Sequence, residues 1–236
     1  MESKRIGFLG DAGVVIWHDI DPLGLDEFYG WHGPEHMPER INISGFNRGR
    51  RYRAILGDFQ FFNLYEVSSF DALSGREYQH RLNNPTAGTV SAVRHFRRVS
   101  RSLGEVMFSA GNGGGGLLAT WCSGHVVQNP RELFNPENTK LLTDLLRNVN
   151  FCGVHFLLSE ATASAKGTKE EALRETKNVN PSWAFLLEGC GETDHFLYEI
   201  ENLCLRDFFS TVDDRSPPQF GVFQMQEIVT DICGSM

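Results

Sequence analysis

The sequence predicts an α+β fold: two β-α-β-β-α-β units packed sheet to sheet as an intramolecular barrel. Three observations lead there. A glycine-rich break, 109-SAGNGGGGLL-118, divides the 236 residues into halves of similar length. Each half carries strand and helix signals in the same order. One such unit alone leaves an apolar sheet face open, which calls for a partner, and a second unit in the same chain supplies it.

The first half opens with a strand over 12–20, AGVVIWHDI, rich in β-branched and aromatic residues. Asp21-Pro22 ends it, and a helix begins near Leu25 with Phe28 and Trp31 at helical spacing. Strand signals return over 46–55 and 59–67, with Leu56-Gly57-Asp58 as a hairpin turn between them. A second helix fits 70–82 and stops at Asn83-Asn84-Pro85; a last strand fits about 95–103. The second half offers a strand over 117–123, a helix over 138–149 and a strand over 151–161. A polar stretch over 162–180 reads as a mobile loop, followed by a strand (183–190), a helix (193–205) and a strand (220–229). The tryptophans of VVIWHD and LATWCS align as though the two first strands were in register. This order is that of the ferredoxin-like split βαβ unit. The repeats are expected at 1–108 and 117–236, joined by a flexible linker over 109–116, where four consecutive glycines disfavour regular structure.

A net charge of −8 and a pI near 5.5 argue against nucleic acid or an anionic membrane as a bulk partner. Basic stretches at 48–53 and 94–101 are local exceptions. No apolar run approaches the roughly 20 residues that span a bilayer, and MESKRIGFLGD lacks a signal-peptide core. The five cysteines (122, 152, 190, 204 and 233) form no C-x-x-C. That argues against a disulfide framework or a cysteine zinc site, and for a reducing, cytoplasmic setting.

The densest chemistry lies in 31-WHGPEHMPER-40. His32 to His36 spells H-x-x-E-H, the inverted zinc-protease signature, which needs a continuous helix to bring both imidazoles to one face. Gly33 and Pro34 lie between them, and a proline inside a helix costs about 3 kcal/mol or more. The expectation is therefore a helix ending near Trp31–His32, a fresh turn at Pro34, and no metal. The glycine run 113–116 lacks the Lys-Ser/Thr of a phosphate-binding loop.

Residues 12–103, about 40% of the chain, resemble the dimeric α+β barrel superfamily, in particular EthD-like bacterial proteins. VVIWHDIDP, EFYGWHGPEHMPERINISGFNRGRRYRA, FFNLYEV and LNNPT carry the likeness. The second half has the element order without EH-x-PER or RRY, so the resemblance implies a tandem, diverged version. It also implies that His36 faces the barrel cleft. The superfamily includes cofactor-free monooxygenases, lactone isomerases, polyketide cyclases, dehydratases and haem enzymes, so the site must decide the chemistry.

Histidine, with an ordinary pKa near 6.5, gives or takes a proton at neutral pH. His36 is the candidate acid–base residue, with bracing of a polar helix end as its structural alternative. Asp19 is the candidate to orient it; on the first strand it shares a face with Trp17 and Val15, opposite Ile16, His18 and Ile20. Arg40, Arg51, Tyr52 and Tyr65 could hold a substrate oxyanion. Trp17, Trp31 and Asn63 complete the candidate substrate-binding set. Phe59, Phe61, Asn63 and Tyr65 share a face by parity, and an asparagine among aromatics marks a cavity lining.

The expected protein is a cofactor-independent enzyme of the isomerase, dehydratase, cyclase or decarboxylase type, acting on a small cyclic or aromatic substrate. Two alternatives stand: an oxygenase, haem-dependent or cofactor-free, and a non-catalytic ligand-binding or scaffold protein. No nucleic acid or membrane partner is expected, and pairing of the two-repeat chain into a homodimer is left open.

Overall fold

The computed structural model describes residues 7–174, 177–212 and 217–230. Its eight strands are β1 (Ala12–Ile20), β2 (Phe46–Gly57), β3 (Phe61–Val67), β4 (Phe96–Gly111), β5 (Leu117–Ser123), β6 (Phe151–Ser159), β7 (Trp183–Gly189) and β8 (Gln219–Thr230). They close into one barrel in the order β1-β3-β2-β8-β5-β7-β6-β4, every neighbouring pair antiparallel. Each repeat contributes the ferredoxin-like order, 4-1-3-2 and 8-5-7-6. The seams β2–β8 and β4–β6 join the two units edge to edge, so neither repeat keeps a free sheet edge.

Alternation along the strands sorts the side chains. Val15 and Trp17 of β1, Tyr52 of β2, Phe62 and Leu64 of β3, Leu118 of β5, Leu186 of β7 and Phe223 of β8 fill the barrel. The interior is thus a packed core and not the ligand cleft that the sequence suggested. At one end it holds buried charge: Arg50 makes two 2.9 Å hydrogen bonds to Glu188 and lies 2.6 Å from Glu66. His155 bridges Ser109 (2.9 Å) and Glu188 (3.2 Å) in the same network. The outer faces are covered by helices, with separate apolar clusters beneath those of the first repeat and those of the second.

The helices are α1 (Leu25–Trp31), α2 (Met37–Ile41), α3 (Phe70–Ser74), α4 (Arg76–Asn83), α5 (Ala87–Ala92), α6 (Pro130–Leu133), α7 (Pro136–Asp144), α8 (Ala161–Ser164), α9 (Lys169–Ala172), α10 (Thr193–Glu201) and α11 (Arg206–Val212). Several differ from expectation. The helix over 70–82 is split at Gly75, whose extended backbone ends α3 and starts α4. Strand β4 runs on to Gly111, so the linker shrinks to 112–116. Phe59 precedes β3 and packs into the barrel, away from Phe61. The tryptophans of the two first strands face opposite ways: Trp17 points inward and donates to Thr120 (3.0 Å), whereas Trp121 packs outside on Phe185, Phe209 and Phe220. A one-residue offset exchanges the faces of a strand.

The polar stretch 162–180 is also more than a loop. It carries α8 and α9, and Val179 pairs with β4 through Val179 N–H to Val99 (2.9 Å) and Arg101 N–H to Val179 (2.8 Å). The backbone N–H of Lys169 reaches Asn83 at 3.3 Å. This insertion between β6 and β7 of the second repeat therefore lies against the first repeat. No helix among the described residues is long and apolar enough to cross a membrane. Cys122, Cys152, Cys190 and Cys204 are free; Cys233 lies outside the described residues.

Candidate functional site

WHGPEH does not end the helix. Residues 32–36 form a single π-helical turn between α1 and α2, closed by Met37 N–H to the His32 carbonyl five residues back. The wider turn accommodates Pro34, which has no N–H to give, and single π-turns are common at functional sites. Gly33 leaves room for the Glu227 carboxylate, which would lie 2.5 Å from a Cβ here and would have to swing aside for a larger residue. Pro34 and Glu35 face outward, Glu35 meeting Thr86 at 2.5 Å, while His32 and His36 turn inward.

The two imidazoles lie 5.4 Å apart, centre to centre. Trp31 packs on His36 at 4.4 Å and Phe28 on His32 at 5.0 Å. His18 comes up from the outward face of β1, stacked between Phe96 (4.5 Å) and Phe61 (5.3 Å), with its Nε2 2.9 Å from the Asn63 side-chain amide. Arg51, from the outward face of β2, stands 3.3 Å from His32 Nδ1 and pairs with Glu227 at 2.8 Å. Tyr65 borders His36 at 6.5 Å between rings. Arg40, one turn past His36, pairs with Glu170 of the insertion at 2.5 Å. Arg174 of the same insertion lies over Phe96, 5.5 Å from the ring centre.

Sheet and helices of the first repeat thus enclose a buried, cationic, aromatic cluster. Burial lowers the pKa of all three histidines, that of His18 to about 3. For His36 the cations Arg40 and Arg174 add to burial; for His32, neighbouring His36 and Arg51 do. All three are therefore neutral near pH 7. Several buried polar atoms here have no hydrogen-bond partner: His36 Nδ1, Trp31 Nε1, Arg40 Nη1, Asn63 Oδ1, Tyr65 OH and Arg174 Nε. Bound water or a polar guest would satisfy these atoms.

Of the residues singled out by sequence, Trp31, His36, Arg40, Arg51, Asn63 and Tyr65 come together. Asp19, Trp17 and Tyr52 do not. Trp17 and Tyr52 are in the barrel core, behind the sheet, and burial pushes the Tyr52 hydroxyl well above its ordinary pKa. The Asp19 carboxylate accepts from the Gln60 N–H (2.8 Å) and pairs with Arg98, so it braces the β3 entrance and does not orient His36. The parity argument that set Asp19 against His18 was sound; it named the wrong face as the site. His18, His32, Glu170 and Arg174 were missed. The first two could have been found by asking which strand face the EH-x-PER helix covers.

Among the described residues no three His, Cys, Asp or Glu side chains are disposed to hold a metal ion. A haem would need a histidine nitrogen opening on a large cavity. Three cavities, of about 250, 530 and 410 Å³, contain no histidine in their walls, and the buried histidines are wedged between rings. These surroundings do not fit a haem ligated by one of the buried histidines. These three hollows lie apart from the titratable cluster, and volume alone selects no function.

No protein-family model matches the sequence, and no curated protein matches it significantly. Solved structures do share its shape. An anthrone oxidase-like protein superposes with a TM-score of 0.62 at 10% identity, covering 97% of this chain and 94% of the other. A candidate monooxygenase from Lactobacillus acidophilus gives 0.56 at 6% identity, over 93% and 96%. Another, from Fusobacterium nucleatum, gives 0.50 at 11% identity, over 94% and 95%. Identities this low speak for the fold alone: the chain is a two-repeat, ferredoxin-like α+β barrel.

Proposed function

We propose that the protein is a small-molecule enzyme in which neutral His36 removes a proton from an enolisable or phenolic ring substrate. The observation that carries this reading is an unpartnered His36 Nδ1, buried among guanidinium groups with no carboxylate nearer than Glu39 at 4.0 Å. A buried imidazole close to guanidinium groups, with no carboxylate in hydrogen-bond contact, is a weak base until an anion joins it. Deprotonation of a substrate places an enolate or phenolate beside those cations. That anion stabilises the new imidazolium, and the guanidinium groups of Arg40 and Arg51 stabilise the anion. Trp31, Phe28 and Phe96 supply flat apolar walls for a ring. This assigns the acid–base step to His36 and oxyanion binding to Arg40, Arg51 and Tyr65, in keeping with the EthD-like pattern of 12–103.

Two fates of the anion divide the chemistry. Protonation at another carbon gives an isomerase or dehydratase. Capture by O₂ gives a cofactor-independent oxygenase, and the anthrone oxidase-like and monooxygenase-named neighbours favour that branch. On anthrone the balance is C14H10O + O₂ → C14H8O2 + H₂O, the ring CH₂ becoming a carbonyl. The test is anthrone in D₂O buffer, with and without air. Catalysed exchange of the CH₂ protons under argon, lost in His36→Gln, supports proton abstraction. Stoichiometric O₂ uptake with anthraquinone formation selects the oxygenase branch. Neither exchange nor uptake above the buffer rate, across anthrone and a panel of cyclic ketones, would sink the reading.

A further inference from the structure

Four groups fix the guanidinium of Arg51. It lies 4.9 Å from the centre of the Tyr29 ring and 5.7 Å from that of Phe28. It pairs with the Glu227 carboxylate at 2.8 Å and brings Nη1 to 3.3 Å from His32 Nδ1. Glu227 belongs to β8 of the second repeat, and Gln226 beside it donates to the Tyr29 hydroxyl at 3.0 Å. This corner of the cluster also reaches the surface: the Glu227 side chain is 31% exposed, against 7% for Arg51. A guanidinium has donors and no acceptor, so Arg51 supplies the proton of its contact with His32 and Nδ1 accepts it. The one N–H of a neutral imidazole then sits on Nε2, whereas an imidazolium would set a second N–H against the guanidinium. Burial, His36 and Arg51 all lower the His32 pKa, in agreement. His32 Nε2 itself makes no hydrogen bond to a described residue. The His36 ring stands 5.4 Å away, with its Nδ1 unpartnered.

We infer that Arg51, anchored by Glu227 of the second repeat, locks His32 in the Nε2–H tautomer, and that this N–H meets the substrate oxygen on which negative charge develops. The two histidines of H-x-x-E-H thus divide the work: His36 takes the proton, and His32 gives a hydrogen bond without giving up its own. A neutral donor suits that place, because it stabilises an enolate and does not quench it by protonation. No bond of His32 is made or broken in the step. The assignment makes the site composite: the first repeat provides base and donor, and β8 of the diverged repeat provides the carboxylate that orients them through Arg51. The donor role rests on the proton-abstraction reading above; the tautomer does not.

The experiment is heteronuclear NMR of the histidine side chains in the nitrogen-labelled full chain at neutral pH, with the His32 signals identified by their loss in His32→Gln. The expected wild-type spectrum shows a bare, pyridine-like Nδ1 and a proton-bearing, pyrrole-like Nε2. Arg51→Met keeps the stem on Tyr29 and removes the donor, so the His32 Nδ1 signal should move to that of a nitrogen without a hydrogen bond. Glu227→Gln should move it part of the way. A proton on Nδ1 in the wild type, a doubly protonated ring, or a His32 spectrum unchanged in folded Arg51→Met overturns the inference. The donor role is read in the anthrone exchange assay under argon. His32→Leu is expected to lower kcat about 10²–10³-fold with KM little changed, and His32→Gln, which still carries an N–H, to keep part of the rate. Folded His32→Leu exchanging as fast as the wild type overturns the donor role and leaves His36 as the base. Exchange absent from the wild type, together with the expected spectrum, sinks the proton-abstraction reading and upholds the tautomer.

Discussion

Arg50 and Glu188 join through two 2.9 Å hydrogen bonds at one end of the barrel interior, fully buried, and they come from different repeats. Arg50 lies on β2 and Glu188 on β7, so this bidentate pair ties the two units together from within. Arg50 beside it, helped by His155, holds the Glu188 carboxyl far below the usual carboxylate range despite burial. Removing Glu188 leaves Arg48 and Arg50 to share Glu66, one buried positive charge in excess, at about 3–5 kcal/mol. Glu188→Ala is therefore expected to lose that much in urea unfolding. The loss should appear as one cooperative transition, because Glu66 and Gly115 N–H belong to the same network. A cost below about 1 kcal/mol would mean that the network contributes specificity and little stability.

The three site histidines set a pH signature for stability. Their folded pKa values lie below the ordinary 6.5, that of His18 at about 3. In the unfolded chain they protonate as pH falls through 6.5, while in the folded state they stay neutral. The unfolded state then binds more protons, so their contribution is complete above pH 6.5 and is lost progressively as pH falls toward the folded values. Each such histidine adds a slope of up to about 1.4 kcal/mol per pH unit. Between pH 6 and 5, above the carboxylate range, the melting temperature should fall steeply. The triple variant His18→Gln/His32→Gln/His36→Gln, or whichever of its single members fold, should flatten the curve in proportion to the histidines removed.

Activity should carry the opposite mark. An ordinary exposed histidine base would be half-protonated at 6.5. His36 is held neutral by burial, Arg40 and Arg174, so kcat/KM in the free enzyme should stay level from pH 7.5 to 6. His36→Gln is expected to lower kcat by about 10²–10⁴-fold. An acid limb centred near 6.5 in the wild-type profile would show that the working base is a different, exposed group.

How much of this was legible in the sequence depends on what each residue's role rests on. Strand and helix order came through because alternation and capping are local: β1, β5 and the hairpin at Gly57 stand within a residue or two of expectation. The histidine cluster was half legible. EH-x-PER marked His36, yet nothing local told which strand face its helix covers, so Asp19 was chosen over His18. Pro34 argued for a helix stop because proline is hostile to an α-helix; a π-turn satisfies it by other means. Glu170 and Arg174 were illegible. They sit in a polar stretch of the other repeat, 134 residues from His36 at the nearer end, and only closure of the barrel brings them there.

The barrel's tryptophan makes the same point testable. The sequence alignment of Trp17 with Trp121 would make them equivalent; the fold gives them opposite faces. Trp17 donates its indole N–H to Thr120 at 3.0 Å, across the interior from one repeat's first strand to the other's. Thr120→Val keeps the shape and removes the acceptor, leaving a buried donor unsatisfied at about 1–3 kcal/mol. Trp17→Phe gives up the donor itself, so in the double variant the Thr120→Val cost should largely vanish, less the packing loss. Urea denaturation of the four proteins measures the coupling. A coupling energy near zero would mean that the indole and the threonine do not meet, and that the register between the two repeats differs from the one described.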